Sequence, residues 1–187
     1  MAGIGFELRK TLSRRTFTAY VRAYMAALAY ASGPWICTIF ALGGIVALAK
    51  TFLEVVIVEQ FTVTTVYVYA FSLLLSGPFQ IVTTRYVSDR LFEKKEELIA
   101  PGVTTALALV GSLSAIIGAI CSYLADLPSA IELSAVFLFC LVNCLWIVMS
   151  YISCLKNYRL VTVAFTLGMT IAWGAALALA KSVPYPL

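Results

Sequence analysis

The sequence predicts an all-α, polytopic transmembrane helical bundle of about five spans with its N-terminus in the cytoplasm. Three observations carry this reading. The 187 residues are 62% apolar and 12% charged and include no histidine, a balance far from that of a soluble domain. The apolar residues fall in blocks of about twenty, the length a helix needs to cross hydrocarbon. The lysines and arginines lie almost entirely in alternate connections between those blocks. Inside a bilayer every backbone N–H and C=O must be satisfied internally, which leaves helices or a closed barrel, and apolar runs without strict alternation exclude the barrel.

Residues 1–19 read as a cytoplasmic N-terminal segment and 20–187 as a transmembrane domain. The spans are expected over 20–49, 61–84, 102–125, 133–155 and 161–180, with a cytoplasmic loop over 85–101. The first block is too long for a signal-peptide core and no convincing cleavage site closes it. Between the second and third blocks, Arg85 to Ala100 is the one charged stretch of any length and is expected to form a short helix. It is either a solvated connection or, through Leu91, Phe92, Leu98 and Ile99, a surface for the membrane or a partner. Pro101 and Gly102 are expected to end it and open the third span.

Orientation follows from counting basic residues. Arg9, Lys10, Arg14, Arg15, Arg22, Arg85, Arg90, Lys94, Lys95, Lys156 and Arg159 fall on one side, and Lys50 and Lys181 on the other. The richer side is cytoplasmic by the positive-inside rule. An odd number of spans then puts the C-terminal tail outside. Pro184 and Pro186 in that tail resemble a loop toward another span, so the chain is expected to be part of a larger, two-lobed transporter.

Catalytic chemistry finds little footing. There is no histidine, no Gly-rich phosphate loop, and Asp89 and Asp126 are too far apart to form a metal-binding pair. No acidic or basic residue lies near the middle of a span, where ion-coupled pumps keep them. Cys37, Cys121, Cys140, Cys144 and Cys154 sit in or beside apolar blocks and read as small buried hydrophobes. No catalytic residue, metal or cofactor is assigned, an enzyme is not expected, and neither is a nucleic-acid partner.

What remains inside the spans is polar, small or helix-bending. Ser32-Gly33-Pro34 interrupts the first span and Ser76-Gly77-Pro78 the second, each expected to kink its helix. Counted from Arg22 and Arg85 at about 1.5 Å per residue, both lie in the inner half of the membrane. They are either packing kinks or the lining of a polar cavity. Asn143, near the centre of the fourth span, either bonds a neighbouring helix or faces a polar path. Ser114, Gly118 and Ser122, and likewise Ala172, Ala176 and Ala180, form four-residue stripes suited to close helix packing. Tyr67, Tyr151 and Trp173 read as interfacial anchors, whereas Trp35 and Tyr69 lie deep enough to be candidates for stacking on a sugar ring.

The opening Met1-Ala2-Gly3-Ile4-Gly5-Phe6-Glu7-Leu8-Arg9-Lys10, followed by a span holding Ser32-Gly33-Pro34-Trp35, resembles that of the PelG family, the inner-membrane transport component of the Pel biofilm exopolysaccharide system. That family is similar to the two-lobed flippases of the multidrug, oligosaccharidyl-lipid and polysaccharide superfamily, and this chain matches part of a first lobe. The resemblance implies passage of a growing polysaccharide across the bacterial inner membrane, fed by a cytoplasmic glycosyltransferase and assembled with other membrane subunits. Phe6, Glu7, Leu8, Arg9 and Lys10 then either dock that glycosyltransferase or anchor on anionic lipid. A scaffold that recruits the glycosyltransferase without transporting is the alternative.

Overall fold

A computed structural model describes residues 16–125, 129–155 and 158–182, with the side chains of 26, 29–31, 129–130, 158–159 and 180–182 outside the description. All regular structure among these residues is helical. The long helices are α1 (Phe17–Ala49), α2 (Val55–Phe92), α3 (Ile99–Leu124), α4 (Ser129–Cys154) and α5 (Tyr158–Ser182). All 5 contain a stretch long and apolar enough to cross a membrane. The all-α polytopic bundle expected from the sequence is the fold. Large apolar side chains such as Leu74, Ile81, Leu133 and Ile171 point outward, as they do when lipid is the solvent.

The charged stretch departs from expectation. Arg85 to Phe92 continues α2 instead of starting a new helix, which makes α2 38 residues long, about 57 Å at the usual rise. The chain then turns through Lys94, whose φ of 57° is left-handed, and through a 3-10 turn at Glu96–Leu98. α3 begins at Ile99, so Pro101 and Gly102 lie inside its first turn, where a proline's missing N–H costs no hydrogen bond.

Side chains tie this elbow together. Arg90 Nη1 pairs with Glu93 Oε2 at 2.6 Å, Lys95 Nζ approaches the same oxygen at 3.3 Å, and the Arg90 guanidinium stands 5.2 Å from the centre of the Tyr86 ring. The Tyr86 hydroxyl donates to Leu98 O at 2.9 Å. Gly102 lies directly under the Tyr86 ring, so that a Cβ there would overlap it. Below the elbow, Val87, Ile99 and Val103 are buried against Leu91, Leu107, Tyr151 and Cys154. Tyr151, expected at an interface, is therefore half in a core.

The helices sort into two compact units, one of 1–59 with 155–187 and one of 60–154. In the first, α1 and α5 run in the same direction, because Gly33, Cys37 and Ala41 meet Thr162, Thr166 and Trp173 in rising order. In the second, α2 and α4 run in the same direction, with Ser72, Gln80 and Thr84 meeting Trp146, Ser150 and Cys154. α3 runs opposite to α4, with Gly118 against Phe139 and Val136 and Gly111 against Cys144. Within each unit, helices two or four crossings apart are parallel and successive ones are antiparallel, as successive crossings of one membrane require.

Candidate functional site

Within the unit of residues 60–154, the polar side chains of α2 repeat every fourth position, at Ser72, Ser76, Gln80 and Thr84, and so share one helical face. That face meets Trp146, Ser150 and Cys154, which have the same spacing on α4. Trp146 Nε1 donates to Ser72 Oγ at 3.0 Å, and Ser72 Oγ donates to Tyr69 O at 2.8 Å. One turn on, Gln80 Nε2 donates to Ser76 Oγ at 2.9 Å while Gln80 Oε1 is 3.2 Å from Ser150 Oγ. The Cys154 thiol lies 3.9 Å from Thr84 O. These contacts form a ladder of uncharged hydrogen bonds between two parallel helices.

Gly77 and Pro78 fall between two rungs of that ladder. α2 passes through Pro78 without ending. The proline is exposed on the far side of the helix and a Cβ on Gly77 would meet nothing within 4 Å. Above it, Val68, Phe139, Val142 and Trp146 form a buried cluster with Tyr69, Leu75, Ile117, Leu138 and Met149 packed against it. Below it lies the cluster around Val87. The second triplet is thus held on both sides, and its Ser76 is fully buried.

Asn143 is also fully buried, but it does not bond a neighbouring helix as one of the two expectations held. Its Nδ2 donates to Phe139 O of its own helix at 2.8 Å, and among the described residues no group bonds its Oδ1. On α3, Ser114 is fully buried and returns its proton to Val110 O at 2.6 Å. The stripe Ser114, Gly118 and Ser122 is buried throughout; a Cβ on Gly118 would stand 3.3 Å from Phe139 Cδ1. The stripe therefore packs helices, as its spacing suggested. Cys140 and Cys144 lie over Gly111 on that interface, the first with its sulfur 3.9 Å from Gly111 O, and all five thiols are free.

The first triplet has different surroundings. α1 passes through Pro34 without ending. Pro34 and Thr38 are buried, and Thr38 Oγ1 donates to Pro34 O at 2.8 Å, a back-bond that itself favours bending. Opposite, α5 offers Thr162 near Gly33 and a sulfur contact of 3.9 Å between Cys37 and Thr166. The firm contact between α1 and α5 lies further along, where Trp173 Nε1 donates to Ala41 O at 3.1 Å and the indole covers Gly44. Trp173 is therefore an inter-helix lock more than an interfacial anchor.

Of the aromatic residues proposed for sugar stacking, Tyr69 packs on the Phe139 and Trp146 cluster and Trp35 is 42% exposed on α1. Tyr67 is exposed and stacks on Phe71 with ring centres 6.1 Å apart. Phe6, Glu7, Leu8, Arg9 and Lys10 lie outside the described residues. The structure brings together Ser76, Gly77, Pro78 and Asn143 in one unit and Ser32, Gly33, Pro34 and Trp35 in the other. Sequence reasoning missed Ser72, Gln80, Trp146 and Ser150; the four-residue polar repeat from Ser72 to Thr84 was the signal for the α2 half.

The family model for PelG, described as "Putative exopolysaccharide Exporter (EPS-E)", matches residues 1–186. Among curated proteins and solved structures, none matches the chain.

Proposed function

The chain belongs to the PelG family of exopolysaccharide exporters, and from that premise we propose that it translocates a growing exopolysaccharide across the bacterial inner membrane. The family match over residues 1–186 carries the reading, and five membrane-crossing helices without a charge in their central stretches support it. Its N-terminus and the α2–α3 elbow are cytoplasmic, where a glycosyltransferase supplies the polymer, and other membrane subunits complete the assembly. The chain's own part is to shape a path with uncharged hydroxyl, amide and backbone groups, since nothing at mid-span suits ion coupling.

The two triplets share that task unequally. Each proline removes a backbone donor to the residue four positions earlier. In α2 the ladder from Ser72 to Thr84 fixes whatever bend results. In α1 the hydroxyl of Thr38 bonds back to Pro34 O, which favours bending, and the hydrogen bond from Trp173 to Ala41 O lies about two turns beyond the triplet; we assign the segment at Ser32-Gly33-Pro34 the shaping of the cytoplasmic mouth.

Topology and transport are tested together in the native host. A periplasm-active reporter fused after Leu53 is expected to be active and one fused after Lys95 silent. Deletion of the gene is expected to abolish extracellular polymer while the glycosyltransferase remains present and active. Activity of the Lys95 fusion refutes the orientation, and undiminished extracellular polymer in the deletion strain refutes the transport role.

A further inference from the structure

The outward faces of the unit of 60–154 are not alike. On α4 the exposed residues Leu133, Phe137, Leu141 and Leu145 repeat every fourth position, and the whole stripe is apolar, as lipid tails require. On α2 the stripe of Gln60, Thr64, Tyr67 and Phe71 has the i, i+4, i+7 and i+11 spacing of one helical face, and it is mixed. It carries an amide, a hydroxyl, a ring with a hydroxyl and a plain ring. The buried Thr65, Ser72 and Ser76 of the same helix occupy a different face, where Ser72 meets Trp146 of α4.

Tyr67 and Phe71 are both more than half exposed, and their rings are nearly parallel, with 20° between the planes and 6.1 Å between the centres. Counted from Phe61 at the usual rise, Tyr67 lies about 9 Å into the span and Phe71 about 15 Å, close to mid-hydrocarbon. An anchoring tyrosine belongs at headgroup level. Tyr67 instead stacks on a ring one turn deeper. A pyranose has the complementary chemistry: its flat faces carry C–H groups that stack on aromatic rings, and its rim carries hydroxyls that need hydrogen-bonding partners away from water. Lipid tails can cover the rings but offer nothing to the hydroxyls and the amide. Tyr69, two residues on, is packed against the cluster of Phe139 and Trp146.

We propose that Tyr67 and Phe71 stack on the sugar rings of the exported polymer, with Thr64 and Gln60 bonding its hydroxyls along the same face of α2. The contact presupposes the transport reading and adds to it the residues that touch the polymer.

The test is photo-crosslinking in the native host. The full-length protein with Phe71 replaced by photoreactive p-benzoyl-phenylalanine is irradiated while polymer is being made. The expected product is a protein–polysaccharide adduct that a glycoside hydrolase digests back to the free protein; the same replacement at Leu141 is expected to give lipid adducts only. Lipid adducts alone at position 71, or no adduct there, overturn the proposal. Export gives a second readout. Tyr67→Leu with Phe71→Leu is expected to lower extracellular polymer per unit of membrane-inserted protein severalfold while the melting temperature stays put, since both side chains are exposed. Undiminished export from that double variant also overturns the contact. The two readings fail separately: undiminished polymer in the deletion strain removes the transport role, whereas polymer lost on deletion but absent from the adducts at position 71 removes this contact alone.

Discussion

The same three residues, Ser-Gly-Pro, occur in α1 and in α2, yet they are built into different surroundings. Around Ser76-Gly77-Pro78, hydrogen bonds to α4 lie on both sides of the proline and two apolar clusters seal the ends. Around Ser32-Gly33-Pro34 the neighbouring helix brings the Thr162 methyl toward Gly33 and the Thr166 hydroxyl to 3.9 Å from the Cys37 sulfur, and the hydrogen bond from Trp173 to Ala41 O is about two turns away. The apolar stretch of α4 is 33% buried within this protein and that of α5 only 6%. A local motif sets what a helix can do; its neighbours decide whether it does it.

The largest effect that separates the two units is expected from glycine replacement. In Gly118→Leu the new side chain must displace Phe139 and Val136, at a cost of about 1–3 kcal/mol. In Gly168→Leu it enters open space beside α5, since nothing lies within 4 Å of a Cβ there. Immunoblots of membrane fractions, together with melting of the solubilised protein, should show a sharp fall for the first and no loss for the second. Equal tolerance would mean that α3 and α4 pack less closely than their contacts indicate.

A smaller effect is expected from removing one donor while keeping most of a ring. Trp146→Phe breaks the bond to Ser72 inside the core, a loss of about 0.6 kcal/mol on average and up to about 1.7 kcal/mol for helix–helix hydrogen bonds in membranes. Trp173→Phe breaks the bond to Ala41 O at a site 36% exposed within the protein, and should cost less. Melting curves of the two variants, compared under the same detergent, rank them. A larger shift for Trp173→Phe would reverse the assignment of the rigid unit.

The fold was legible because hydrocarbon leaves few options: twenty-residue apolar blocks allow only helices, and their number and order follow directly. Residues 85–92 were misplaced for a related reason. Charge marks the end of hydrocarbon, not the end of a helix, and Arg85 with Asp89, 3.1 Å apart at an i, i+4 spacing, continues α2 into water. The ladder was half legible. Ser72, Ser76, Gln80 and Thr84 state their periodicity in the sequence, but Trp146 as the partner requires knowing that α2 and α4 are parallel neighbours. Asn143 was singled out as an amide that must find a partner. Its partner could not be read, because an amide can turn back to its own helix as readily as across. Trp173 looked interfacial by its chemistry, and only the glycine it covers, Gly44, explains its place.

The difference between the triplets is tested most directly by replacing each proline alone in the full-length protein. Pro34→Ala and Pro78→Ala each restore a backbone donor and remove a ring clash, so neither should weaken its helix. Extracellular polymer per unit of membrane-inserted protein is the quantity to measure, by polymer staining of the medium and immunoblot of the membrane fraction. Pro34→Ala is expected to lower it severalfold, because the Thr38 back-bond alone is then left to favour the bend in α1. Pro78→Ala is expected to leave it near the native value, because the ladder to α4 holds α2 in place with or without the proline. Equal loss in both variants, or loss confined to Pro78→Ala, would contradict the account.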